Sequence, residues 1–410
     1  MNYKYQIHLF IILNLFRTTI VSLVPSFTII SLILITIFTI LNLGFSIKKG
    51  NNKVPAIFLI FSFYIFAHIV FFGILNPSFN LAIPFLGALQ ILINAFFWYS
   101  LFLTNMHIVN KVFNYFIKAT LQYSVVVSLG AIIQFYISPT LFGLINNRLY
   151  SNEAVLSNVN FAKRAISFIS SPQNLGVFQG LIFSLSLTQF KKYFSSNFYY
   201  LFLGLTLFAG ILTGSKAFYL FISIYLFYFL VLRNKIKWNY ILISVLLFLS
   251  LPLIFPSLYM TETIQRIIIV FNVVSFSDIS VVSIWGFFFE SFDTTLKIIF
   301  GQGLGLLSSY SQLTFGYKIL NGSSESYLLQ LFYEIGLIGL FIWLTFFKIS
   351  INKLKSQSEL RDYAFVLIAL FLNLLFTPSF YGLIISFFFY PFIIIGYFKH
   401  TYNSGVENKS

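Results

Sequence analysis

No cysteine occurs in these 410 residues, which excludes disulfides, thiolate catalysis and cysteine-held metals. The four histidines, His8, His68, His107 and His400, stand far apart and form no metal-ligand cluster by spacing. An enzyme built on this chain is therefore expected to work without a metal ion or other cofactor. Acidic side chains are scarce as well, ten against 25 lysines and arginines, and all charged residues together make up 9% of the chain. No A-x-A-like cleavage site follows the first apolar run, and a second run starts almost at once, so the first segment is expected to remain as an anchor. Nucleotide signatures are missing too. Gly301, Gly303 and Gly305 fall short of a G-x-G-x-x-G because position 306 is Leu306, and no phosphate-loop lysine follows.

What fills the chain is apolar: 59% of its residues are hydrophobic and the mean hydropathy is +0.90. No water-soluble domain of this size needs that much to fill its core. A helix of about 20 apolar residues crosses the hydrocarbon, and the chain offers about twelve such runs. They cover residues 7–24, 27–45, 54–75, 82–104, 112–137, 173–190, 198–212, 217–232, 238–255, a tenth from near Glu325 to Lys348, then 363–377 and 382–398. Lysines and arginines fall in alternate breaks, among them Lys48, Lys49, Lys111, Lys191, Lys192, Arg233 and Lys353. Placing those breaks in the cytoplasm puts both termini and the tail 399–410 inside. It leaves the two long polar segments, 138–171 and 257–324, outside. The expected fold is all-α: one polytopic integral-membrane domain over 1–410 with two long outer loops. The net charge of +15 is dispersed among the breaks, so membrane lipids and no nucleic acid are the expected contacts. Even so, Arg148, Lys163, Arg164, Lys216, Arg266, Lys297 and Lys318 fall on the outer side, more cations than the positive-inside rule would put there. No internal repeat is visible, which counts against an inverted-repeat transporter.

Three outer features join a polar segment to a span. In Ser171-Pro172-Gln173-Asn174-Leu175-Gly176, a proline at a helix start is followed by two amides, which puts unsatisfied N–H groups and Asn174 at the outer mouth. Arg148 and Arg164 precede it; a guanidinium forks two phosphate oxygens, and contact with lipid head groups is the competing role for each. The turn Thr213-Gly214-Ser215-Lys216 supplies either a second cation for the same cavity or a lysine snorkelling to the interface. At the third, Gly322-Ser323-Ser324-Glu325 places a carboxylate where the tenth span emerges. Glu325 is there either for chemistry or to complement a helix dipole. Arg17 is an intramembrane charge whose depth depends on where the first helix ends. Glu334 is expected to pair or hydrogen-bond inside its span, and Gly336 and Gly339 to allow close helix packing.

Taken in order, these features resemble the integral-membrane O-antigen and capsule repeat-unit polymerases, a family that shares its core with the O-antigen ligases. The likeness covers roughly the central and C-terminal two-thirds of the chain. It rests on Arg164 with Ser171-Pro172-Gln173-Asn174-Leu175-Gly176, on Thr213-Gly214-Ser215-Lys216, on Gly301-Gln302-Gly303-Leu304-Gly305, and on Glu325-Ser326-Tyr327-Leu328 running to Glu334-Ile335-Gly336-Leu337-Ile338-Gly339. Lys216 stands where the family carries an arginine. The histidine that ligases carry near the Glu325 position is missing, which favours polymerase over ligase.

The resemblance implies a helical membrane fold of the type called GT-C and a metal-independent glycosyltransferase in the cytoplasmic membrane of a bacterium. Such an enzyme moves a growing glycan from undecaprenyl diphosphate onto another lipid-linked repeat unit, outside the membrane, to make O-antigen of lipopolysaccharide, capsule or exopolysaccharide. The leaving diphosphate gains negative charge, which preorganised cations stabilise. The resemblance gives that role to Arg164 and Arg266 first, with Arg148, Lys216 and Asn174 binding substrate. Glu325 would take the acceptor's proton, and Tyr310, Tyr317 and Tyr327 would either stack on sugar rings or sit at the membrane interface, where tyrosine is common. A chain-length regulator is a further candidate partner. Two alternatives stand beside this one: a ligase-type glycan transferase, and a flippase for the same lipid-linked units, which would need charges in mid-membrane and short loops.

Overall fold

The structure, a computed structural model, describes residues 2–16, 20, 27–48, 55–75, 82–137, 165, 167–169, 171–233, 292, 294–304, 306, 326–375 and 383–407. Every regular element among them is helical. In chain order they are α1 (Tyr3–Leu15), α2 (Phe27–Lys48), α3 (Ala56–Leu75), α4 (Ala82–Thr104), α5 (Val109–Tyr136), α6 (Pro172–Tyr193), α7 (Tyr199–Leu212) and α8 (Lys216–Phe227), which a π-helical stretch over Tyr228–Arg233 prolongs. A short α9 (Thr295–Phe300) is followed by α10 (Tyr327–Lys355), α11 (Arg361–Leu374) and α12 (Leu383–Glu407). Five stretches are long and apolar enough to cross a membrane: Ile30–Lys48, Ala82–Thr104, Met106–Tyr136, Lys216–Arg233 and Tyr327–Lys355. Three shorter apolar helices accompany them, Ala56–Phe72, Ser196–Leu212 and Ile385–Phe398. These are the all-α elements of a membrane protein. The ninth apolar run, 238–255, lies outside the described residues.

Contacts divide the chain into two compact units, one of residues 1–14, 26–116 and 279–410, the other of 15–25 and 117–278. In the first unit α4 packs on α2 and α12, and α10 packs on α3, α9, α11 and α12. Lipid is as apolar as leucine, so close packing and polar ties hold such helices together rather than hydrophobic exclusion. One tie answers a defect. Pro391 inside α12 has no N–H, which orphans the carbonyl of Phe387 four residues earlier. Trp98 of α4 donates its indole N–H to that same carbonyl at 2.8 Å. Tyr390 returns a bond from α12 to α4, its hydroxyl donating to Ile91 O at 2.7 Å. Nearer the N-terminus, the side-chain amides of Gln6 and Asn42 exchange two bonds, 2.9 and 3.2 Å, and so join α1 to α2.

The second unit is built around α6, which packs on α7 and α8. Gly176 and Gly180 sit one turn apart on the face toward α8. A Cβ on Gly176 would come within 2.8 Å of the Ser215 side chain, and one on Gly180 within 2.9 Å of Phe221. Small residues at this spacing let the two backbones approach. On another face Ser128 of α5 and Gln179 exchange hydrogen bonds of 3.1 and 3.2 Å.

Candidate functional site

In the second unit Ser171 caps α6. Its hydroxyl accepts the N–H of Asn174 at 3.1 Å, and Pro172 takes the first helical position, where no N–H is needed. The chain leading into this cap is interior: Ala165, Ser167 and Ile169 are all fully buried. Ala165 donates its N–H to Leu212 O at 3.0 Å. Ser167 donates its N–H to Gln134 Oε1 at 2.8 Å and its hydroxyl to Val127 O at 2.7 Å. Those bonds hold Ser167 at φ 50°, uncommon for any residue but glycine. Gly130 makes the space, since a Cβ there would lie 2.7 Å from Ser167 Oγ and from the Phe168 ring.

The residue after Arg164 is thus anchored at the end of α7, beside the turn that carries Lys216. Gly214 makes that turn at φ 54°, and Thr213 Oγ1 accepts the Ser215 N–H at 3.2 Å. Ser215 is the N-cap of α8, yet its side chain makes no capping bond. Its Oγ is buried and has no hydrogen-bond partner among the described residues. Gly176, one turn into α6, lies against it. The starts of α6 and α8 therefore converge, each presenting the positive end of a helix, with Lys216 exposed beside them. Chemically, such a pair can hold an anion.

The first unit contains a junction of a different kind. α10 is broken at Gly336, whose φ of 67° and ψ of −174° suit glycine alone. The break takes the carbonyls of the preceding turn out of the helical ladder. Other groups complete them: Gln302 N–H donates to Tyr333 O at 2.7 Å, Gly303 N–H to Glu334 O at 3.2 Å, and the Tyr64 hydroxyl to Ile335 O at 2.7 Å. The fit is backbone on backbone. A Cβ on Gly336 would overlap Ile299 O, and a Cβ on Gly301 would overlap Glu334 O. His68 of α3 secures the same stretch, its Nε2 lying 2.7 Å from Phe300 O; a carbonyl only accepts, so Nε2 carries the hydrogen. Gly339, one turn on, lets Tyr64 approach, as a Cβ there would lie 2.6 Å from its ring. Glu334 is fully buried, within electrostatic reach of Tyr327.

Of the residues expected to handle substrate, Asn174, Lys216 and Tyr327 are described; Arg148, Arg164, Arg266, Tyr310, Tyr317 and Glu325 lie outside the described residues, as does Arg17. Arg164 and Glu325 each adjoin a described residue. For Glu325 that neighbour is Ser326, which caps α10: its Oγ accepts the Leu329 N–H and donates to Leu374 O, both at 3.3 Å. Tyr327 is 1% exposed and sets its ring edge-on against Trp343, so it belongs to the packing of α10. Asn174 is half-buried at the start of α6. Among the described residues no three histidine or carboxylate side chains gather as a metal site. Sequence reasoning passed over His68 and Tyr64. The signal was a titratable side chain inside an apolar run, a functional candidate by default. No protein-family model matches this chain, and no curated protein matches it in sequence.

Proposed function

We propose that the chain is a polysaccharide polymerase of the bacterial cytoplasmic membrane, a GT-C-like protein of about twelve spans. It joins undecaprenyl-diphosphate-linked repeat units into O-antigen, capsule or exopolysaccharide on the outer face. The observation that carries this reading is the bond from Ala165 N–H to Leu212 O at 3.0 Å. It brings the segment that follows Arg164 and leads into α6 to the turn that carries Lys216, so two stretches separated in sequence by α6 and α7 share one place.

In the reaction, an acceptor hydroxyl oxygen bonds to the donor sugar's anomeric carbon while the bond from that carbon to the diphosphate oxygen breaks. The electron pair leaves with the diphosphate, and the hydroxyl proton passes to a carboxylate base. Charge thus builds on the leaving group, where fixed positive groups stabilise it most. Two helix starts and Lys216 supply part of that field. Arg164 forks the phosphate oxygens, and Arg148 and Arg266 complete the set.

The test is the electrophoretic profile of surface glycan from a clean deletion, complemented by the wild-type chain and by Arg164→Ala. Loss of the ladder to a single repeat unit, restored by wild type and not by a membrane-inserted Arg164→Ala, is the expected outcome. Full-length polymer stranded on the lipid carrier would mean a ligase. Loss of every surface unit with intermediates trapped on the inner leaflet would mean a flippase.

A further inference from the structure

A half-enclosed groove of about 200 Å³ lies between α2, α3 and α4 of the first unit. Buried Ala88, Leu92 and Ile93 of α4 line its floor, with Thr36 and Ile40 of α2 on one side and Phe66 of α3 on the other. Its wall is apolar even where threonines stand in it. Thr36 donates its hydroxyl to Leu32 O and Thr39 to Ile35 O, both at 2.8 Å, so each spends its donor inside its own helix. At the end marked by Phe96, that ring meets Phe58 edge-on with centroids 4.9 Å apart, which joins α3 to α4 there.

Neither vacuum nor water suits this space. Side chains beside a void lose the dispersion contacts they would make when packed. A water molecule needs two or more polar partners, and this wall has none to spare. Hydrocarbon is at hand, because the rim residues Ile40, Phe66 and Phe85 are exposed and continue into the outward apolar faces of α2 and α3, at Ile33, Ile37, Phe63 and Val70. Length agrees as well. From Phe85 to Phe96 the floor runs about 16 Å at the helical rise, close to half of the ~30 Å hydrocarbon core and so to the depth of one leaflet.

We infer that this groove holds one acyl chain of a bilayer phospholipid, seated between α2 and α3 as part of the packing. Polar groups are what fix orientation and select one ligand over another. A groove without them takes the chain most abundant beside it, which in a membrane is the phospholipid's. The inference goes beyond the polymerase reading and does not depend on it.

The test uses the full chain in phospholipid nanodiscs in which a small fraction of the lipid carries a diazirine midway along an acyl chain. Photolysis followed by peptide mass spectrometry locates the adducts. Passing contact with lipid favours an outward residue such as Leu337, which is 55% exposed, whereas a resident chain favours Leu92 and Ile93, only 3% and 4% exposed. Adducts on Leu92 and Ile93 are expected to outnumber those on Leu337 several-fold. Ala88→Phe fills the groove from its floor and should cut the floor adducts about tenfold while Leu337 stays labelled. Leu89→Trp, at a half-buried position on the groove, should cut them several-fold and serves if Ala88→Phe does not fold. Floor labelling no greater than that of Leu337, or floor labelling that both variants leave intact, overturns the site. A trace of added undecaprenyl phosphate should leave the adducts unchanged; if it displaces them, the occupant is an isoprenoid and the acyl assignment falls. The glycan ladder enters none of these readings, so the groove and the polymerase stand or fall separately.

Discussion

The two units face one problem and solve it in opposite ways. Each must hold irregular backbone inside a protein built for lipid, where no water is at hand to complete a stray N–H or C=O. The second unit does so largely with side chains: Gln134 takes the Ser167 N–H, and the Ser167 hydroxyl takes Val127 O. The first unit does so largely with backbone, as the turn at Gly301 completes the carbonyls freed by the break at Gly336. A side-chain pin costs one hydrogen bond to lose. A backbone junction leaves no room for a Cβ at all, so its tolerance to substitution should be far lower.

Gly336→Ala should therefore have the largest effect. It forces a side chain to φ 67° and drives a Cβ into Ile299 O. Strain and overpacking together should cost roughly 3 kcal/mol or more. Thermal unfolding in nanodiscs checks this, and an unmoved midpoint would mean the junction holds nothing. Gln134→Leu is the matching break in the second unit. It strands the buried Ser167 N–H and should cost about 1–3 kcal/mol. If it proved as damaging as Gly336→Ala, the contrast between the two devices would be gone. Tyr64→Phe removes a side-chain bond onto the broken turn, to Ile335 O, and should cost about 1 kcal/mol. A loss as large as that of Gly336→Ala would show that side chains, not glycines, carry the first unit's junction.

These differences also explain what could be read from the sequence. The run 82–104 coincides with α4, and α6 is announced at both ends, by Pro172 and by Lys191 and Lys192. Helix period and flanking charge are local properties, and they were legible. The break in α10 was not, because Leu337 and Ile338 continue the apolar pattern straight through it. Gly336 signals freedom to take a positive φ, but the reason to use it lies at Gly301. Ser167 gave even less, since nothing in a serine foretells φ 50°. Pro391 was half legible: a proline in a span predicts an orphaned carbonyl, while the answering Trp98 stands 289 residues away. The candidate site divides the same way. Its motifs were visible one by one, but that Ala165 meets Leu212, or His68 meets Phe300, depends on contacts between distant stretches, which periodicity does not encode.

The smallest expected effect on stability is the most telling for function. Ser215 Oγ is buried, sits at the N-cap of α8 and makes no bond to any described group. Removing it in Ser215→Ala strands no partner, so stability should stay within about 0.5 kcal/mol of wild type. A hydroxyl kept at that position for folding would behave otherwise, as Ser171 should: Ser171→Ala loses a real cap and about 1 kcal/mol. If an anion docks where α6 and α8 begin, the Ser215 hydroxyl is free to donate to it, and Ser215→Ala should shorten the surface glycan ladder without moving the unfolding midpoint. Gly176→Ala should shorten it further, because a Cβ 2.8 Å from Ser215 pushes the two helix starts apart. A full ladder in Ser215→Ala, with stability also unchanged, would leave the hydroxyl without a role and count against the proposed diphosphate site at the α8 start. A shortened ladder at constant stability would separate the second unit's two tasks, since the Gln134 and Ser167 bonds that hold the fold would then be distinct from the groups that meet the substrate.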